Sequence, residues 1–151
     1  MFSSLNISAS ALTAQRLRMD VTSSNIANAS TTRGTMVNGQ WEPYRRKMVV
    51  MEPNGTSFNQ ILQGQIQKQS QSQTNMQGVK VTGIVNDQTP FNLVYDPSNP
   101  DASTDGYVKM PNVDLSKEMV DLLSASRAYE ANVTSFNTGK SMMLKALEIG
   151  H

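Results

Sequence analysis

Both ends of this chain carry apolar stripes at helical spacing, and the middle does not. From the N-terminus, Phe2, Leu5, Ala9, Leu12, Arg16, Met19, Ser23 and Ile26 follow alternating steps of three and four, which predicts an amphipathic helix over residues 2–29. Toward the C-terminus, Leu115, Met119, Leu122, Ser126, Tyr129, Val133, Phe136, Lys140, Met143 and Leu147 do the same, which predicts a second helix over 113–149. Asn112 and Asp114 are candidate caps for its start, and Gly150 suits the left-handed residue after its end. At 1.5 Å per residue these helices run about 40 and 55 Å. A helix face at a chain end must find a partner, and the nearest partner is the other end. The expected pairing is antiparallel, with Phe2 near Leu147 and Ile26 near Leu122. Ile7, Leu17 and Val21 on the first helix, and Val120, Leu123, Met142 and Leu144 on the second, lie off that seam. A two-helix pair cannot bury them all, so further copies are the expected sink.

Between the helices the period changes. Residues 44–53, 78–86 and 90–97 are rich in Val, Ile, Phe and Tyr and bounded by Pro, Gly, Asn and Asp, so they read as short strands. The Gln-rich stretch 60–77 reads as an exposed loop or as an edge strand through Ile61, Gln63, Gln65 and Gln67. Residues 96–106 concentrate Pro, Asn, Asp and Gly and read as an irregular loop. The expected fold is therefore α+β and elongated. Residues 1–30 and 113–151 form an antiparallel coiled-coil pair, and 31–112 form a β-rich and loop insertion between them.

Composition removes most chemistry. Among 151 residues there is no cysteine, and the only histidine is His151, so thiolate chemistry, Cys-based metal sites and an internal imidazole base are excluded. Charged residues make up 17% and nearly balance at +1, which argues against a nucleic-acid or acidic-membrane footprint. Neither a secretory leader nor an apolar run of about 18 residues is visible. Asp101, Ser103, Asp105 and Gly106 fit the start of a calcium loop, but its twelfth position is Asn112 rather than a bidentate Glu, so an ordinary turn is expected. Arg45, Arg46 and Lys47 read as a solvated strand end or a salt-bridge face. Glu118 and Asp121 read as solvated helix charges, with Lys117 and Asp121 supporting the helix. No catalytic residue, cofactor or metal is expected.

Residues 7–32, "ISASALTAQRLRMDVTSSNIANASTT", resemble the amino-terminal signature of bacterial flagellar axial proteins. With "YRRKMVV", "DPSNPDASTDGYVKMPNVD" and "RAYEANVTSFNTGKSMMLKALEIG", the chain resembles the proximal-rod subunits of the flagellar rod and hook family. The resemblance implies a non-enzymatic structural subunit that polymerises into a drive shaft carrying motor torque to the hook. It implies export through the flagellar type III apparatus without a cleaved signal and a place in the basal body beyond the cytoplasmic membrane. The implied partners are copies of itself and other rod proteins, with no nucleic acid and no small-molecule substrate. Within the family pattern, the expected subunit-packing residues are Leu5, Leu12, Met19, Ile26, Met119, Leu122, Tyr129, Val133, Phe136, Met143 and Leu147. Asn25, Asn28, Arg127, Glu130 and Asn132 are expected to add polar contacts between subunits. The alternatives are a distal-rod or hook subunit, a calcium-dependent cell-wall binding module resting on 96–106, and a wall-anchored hydrolase.

Overall fold

A computed structural model describes residues 2–37, 39–54 and 78–149. Helix α1 spans Phe2–Ala27 and helix α2 spans Leu115–Ile149. Between them lie strands β1 (Thr35–Val37), β2 (Gln40–Glu42), β3 (Lys47–Pro53), β4 (Val79–Asn86), β5 (Asn92–Tyr95) and β6 (Tyr107–Met110). The strands pair antiparallel, β1 with β2, β3 with β4 and β5 with β6, as three separate two-stranded sheets. Two helices with small strand pairs between them is the expected α+β arrangement. β3, β4 and β5 fall inside the three expected strand stretches, and 96–106 is the connection between β5 and β6. Strands β1, β2 and β6 were not expected. The Gln-rich stretch 60–77, Gly150 and His151 lie outside the described residues, as does the Phe2 side chain.

Local chemistry explains the element ends. Asp114 caps α2: its carboxylate accepts from the backbone N–H of Ser116 at 3.0 Å and of Lys117 at 3.2 Å, two donors that the first helical turn cannot otherwise satisfy. Asn112, the other candidate cap, instead accepts from Arg46 N–H at 2.8 Å and donates to Thr89 Oγ1 at 2.9 Å. Gly39 lies in the β1–β2 hairpin with φ of 80°, a conformation that few side chains tolerate. In the β3–β4 pair the register slips between Val50 and Met51, and Thr82 is the extra residue of the bulge.

The helices run antiparallel, but the expected register is wrong. Asn25 meets Glu118 at 2.9 Å, and Leu5 packs over Gly139, where an added Cβ would meet its Cδ2 at 3.2 Å. The partner of each α1 residue thus lies more than one turn nearer the start of α2 than the expected Ile26–Leu122 and Phe2–Leu147 pairs require. Apolar stripes can slide by a turn at little cost, whereas polar pairs such as Asn25–Glu118 and Arg18–Asp121 have one geometry, so they set the register. The seam is also rotated. The buried positions of the two helices are Ala14, Val21, Thr22 and Asn25 on α1, which packs on β3 and β4 as well as on α2, and Glu118 and Ala125 on α2. Val21, expected off the seam, is therefore buried within the chain. Arg16 and Lys140, expected in the stripes, are exposed. Small side chains at the line of contact let the axes approach closely, and the larger residues flank them.

Candidate functional site

The strongest feature of the chain is a buried polar junction where α1 ends, β3 begins and α2 begins. Asn25 and Glu118 are each 1% exposed. The Asn25 amide uses its full capacity: Nδ2 donates to Lys47 O and to Glu118 Oε2, both at 2.9 Å, while Oδ1 accepts from Lys47 N–H at 2.9 Å and from Tyr44 O–H at 3.0 Å. One side chain thereby holds both backbone groups of the first residue of β3. The other Glu118 oxygen accepts from Arg46 Nε at 2.6 Å. The Arg46 guanidinium also faces Asp87 at 3.5 Å and Asp121 at 3.6 Å, and Asp121 in turn accepts from Arg18 at 3.1 Å.

The electrostatics follow from this arrangement. Burial works against the Arg46 cation, but the hydrogen bonds and charges of Glu118 and Asp87 outweigh it and hold its pKa above the usual value. The Asp87 carboxyl is held below its ordinary value, first by the backbone N–H of Thr89 and then, against some burial, by the Thr89 hydroxyl and Arg46. Glu118 and Asp121 are therefore not the pair of solvated charges expected from sequence. Glu118 is enclosed, because its carboxylate is the meeting point of donors from α1 and from Arg46, the residue before β3. Bonded to donors on both oxygens, it is a structural anchor.

The other charged motifs are also spent within the chain. Arg45 lies over the Phe91 ring at 4.3 Å and near Glu42, and Lys47 lies over Tyr44 at 5.6 Å, so the Arg-Arg-Lys triplet forms no continuous basic patch. Asp101, the first residue of the calcium-like stretch, accepts from Arg33 Nε and from Thr32 Oγ1, both at 2.8 Å. The Arg33 hydrogen bond, then the Thr32 hydroxyl, hold its carboxyl below the ordinary value. This pair fastens 96–106 to the segment after α1. Among the described residues no cluster of three metal-ligating side chains exists, and no helix is long and apolar enough to cross a membrane.

The expected subunit-packing residues divide into two groups. Leu5, Leu12, Met19, Ile26, Leu122, Tyr129, Val133, Phe136 and Met143 are half-buried beside the seam, whereas Met119 and Leu147 are exposed. Asn25, expected between subunits, has no bonding capacity left for a neighbour. Asn28 donates to Ser24 O and Asn132 to Ala128 O, both within their own helical turns, and Arg127 pairs with Glu130 on the open surface. On α2, Val120 and Leu123 near its start and Met142, Leu144, Leu147 and Ile149 near its end are exposed apolar side chains, reaching 85% exposure at Ile149. Sequence reasoning missed the junction. The signal lay in the steps of seven from Glu118 through Ala125 and Asn132 to Gly139, small or polar residues that mark the true line of contact.

Comparison with known proteins bears on both ends of the chain. The family described as "Flagella basal body rod protein" matches residues 5–34, and the "Flagellar basal body rod FlgEFG protein C-terminal" family matches residues 104–149. The flagellar basal-body rod protein FlgC of Bacillus subtilis is 60% identical over 149 residues, covering 99% of this chain and 97% of that protein. FlgC of Borreliella burgdorferi is 46% identical over 99% of this chain and 97% of its own length, and FlgC of Escherichia coli O157:H7 is 46% identical over 96% and 94%.

Proposed function

We propose the following from the premise that this chain belongs to the FlgC family of flagellar basal-body rod proteins, and is a structural subunit of the rod. It acts in the proximal part of that rod as an element of the shaft that carries torque to the hook, and not as an enzyme. Residues 1–30 and 113–151 serve as the axial domain, with 31–112 as the insertion. The chain reaches its place beyond the cytoplasmic membrane through the flagellar type III export apparatus.

The observation that carries the reading is the set of exposed apolar side chains on α2, Val120 and Leu123 near its start and Leu144 near its end, which stay open after the helix pair has formed. A surface of this kind is stable only when another apolar face covers it, and in a helical polymer the neighbours supply that cover at every subunit. The expected polar set would act at the rim, through Arg127 and Glu130 at the surface, with Asn132 on the same helix and Asn28 just after α1. Load shared over many interhelical contacts gives the stiffness that a rotating shaft needs. Leu123→Asp tests this reading. The free chain should fold as before, because Leu123 is exposed, while motility and rod assembly in the producing bacterium should be lost. Normal swimming with Leu123→Asp, or a basal-body map with these side chains turned to solvent, would refute it.

A further inference from the structure

The β1–β2 hairpin and the β5–β6 hairpin with its 96–106 connection enclose an open groove of about 610 Å³, on the part of the chain that the helix-packing reading does not use. Its walls include Trp41, the only tryptophan of the chain, together with Tyr107, Gln40, Ser103, Asp105 and Lys109. Trp41 is 52% exposed and Tyr107 is 47% exposed. The Tyr107 ring is held by Tyr95 in an edge-to-face contact at 5.3 Å, and Gly106, with φ of 77°, lies against the Tyr95 ring at the turn into β6. The Tyr107 wall therefore stands on a fixed hairpin, while Trp41 comes from β2 on the opposite side. The volume lies in the range of small-ligand sites, about 300–1,000 Å³.

The chemistry of the walls selects among occupants. Asp101 is already neutralised by Arg33, which leaves one carboxylate, Asp105, and one ammonium, Lys109, facing the groove. Among the described residues neither the Asp105 carboxylate nor the Lys109 ammonium has an ion-pair or hydrogen-bond partner, Asp105 bonding Ser103 Oγ through its backbone N–H alone. This balance gives no pull toward a polyanion such as nucleic acid. An apolar helix laid into the groove would cover Asp105, Lys109 and the Gln40 amide without pairing them, and buried unpaired polar groups are costly. A pyranose answers both demands: its C–H face lies on an aromatic plate, and its hydroxyls both donate to a carboxylate and accept from an ammonium or an amide.

We propose that this groove binds a neutral oligosaccharide, stacking one sugar ring on Trp41 or Tyr107 and anchoring its hydroxyls through Asp105, Lys109 and Gln40. The full-length chain is titrated with triacetylchitotriose and, separately, with cellotriose, and Trp41 emission and the amide resonances of Tyr107 and Val108 are followed. The two sugars separate an N-acetylated from a plain pyranose source. Saturable changes with at least one of them, at a dissociation constant of about 1 mM or tighter, are expected. Asp105→Ala, a substitution in an exposed turn, should weaken binding by about tenfold. Trp41→Ala should weaken it at least as much, and Trp41→Tyr should retain it. Absence of a saturable change with both sugars at about 10 mM overturns the proposal. So does emission that varies with protein concentration and not with sugar, which would mark the groove as a contact between copies. Loss of rod assembly in Leu123→Asp leaves the sugar titration unaffected, so the two readings fail separately.

Discussion

Glu118→Gln isolates the energetics of the junction, because it keeps the shape of the side chain and changes only what its end group accepts. Both oxygens of Glu118 are acceptors, one for Arg46 Nε at 2.6 Å and one for Asn25 Nδ2 at 2.9 Å. A glutamine has one oxygen and one NH2, so whichever way it turns, an NH2 group must face a donor. Asn25 cannot flip to relieve the conflict, since its oxygen holds Lys47 N–H and Tyr44 O–H and its nitrogen holds Lys47 O. A hydrogen bond to a charged group contributes about 1.5–3 kcal/mol, and a buried donor left unpaired costs about 1–3 kcal/mol. Arg46 keeps Asp87 and Asp121 and is 25% exposed, so solvent relieves part of its loss. The net expectation is destabilisation by about 3 kcal/mol, a factor on the order of 100 in the folding equilibrium. Urea unfolding of the full-length chain, followed by far-UV circular dichroism, measures it. Adding Arg46→Ala to Glu118→Gln should cost less than the two single changes added together, because the pair acts as one unit. A Glu118→Gln loss below about 0.5 kcal/mol, or strict additivity, would mean that Glu118 does not hold both donors at once.

Ala125 is fully buried on the seam and Leu147 is 67% exposed, so Ala125→Leu should destabilise the free chain by about 1–3 kcal/mol. Leu147→Asp should leave that stability unchanged and impair rod assembly, as unfolding curves and motility plates would show. The Asp101 carboxyl is held below its ordinary value of 3.8, chiefly by Arg33, so its contribution is present above that value and is lost as pH falls through the lower folded value. Amide signals of 96–106 should accordingly shift in acid below about pH 4, and Asp101→Asn should remove the transition. Amide exchange in the free chain should run slower at Asn25 and Ala125, beside the junction, than at Leu5 and Met143, where the helix pair lacks that anchor. Equal protection along α2 would contradict this gradient.

The two helices were legible in the sequence because long periodic segments repeat their signal several times; the observed α1 and α2 end within two residues of the expected bounds. Strands β1 and β2 were not, since three residues carry too little alternation to register, and β6 has only Tyr107 and Val108 as β-favouring residues, directly after a loop-rich stretch. The junction escaped for a different reason. Glu118, Asp121 and Lys117 lie on one helix and read as local helix charges, while the partners that bury Glu118 lie 72 and 93 residues away in sequence. Periodicity has no access to such separations. The register of the helix pair was hidden by the same fact, because the polar contacts that set it are long-range. The family was legible because the motifs at both chain ends are specific taken together.

Asn25, Arg46 and Glu118 meet at one point, so everything between β3 and the start of α2 leaves from and returns to the same place. Lengthening a loop whose feet are fixed side by side costs only about 0.6 kcal/mol per doubling. The junction therefore separates two tolerances within one polypeptide. The helices are bound to a fixed length and phase, because a change there would be repeated at every copy along a shaft. Of the described stretch between the feet, the β5–β6 hairpin, held through Asp101 to Thr32 and Arg33, is the part open to exchange, whereas β3 and β4 pack on α1 and are bound with it. One framework of helices can in this way present different side structures at different heights of a filament while every subunit keeps the same pitch.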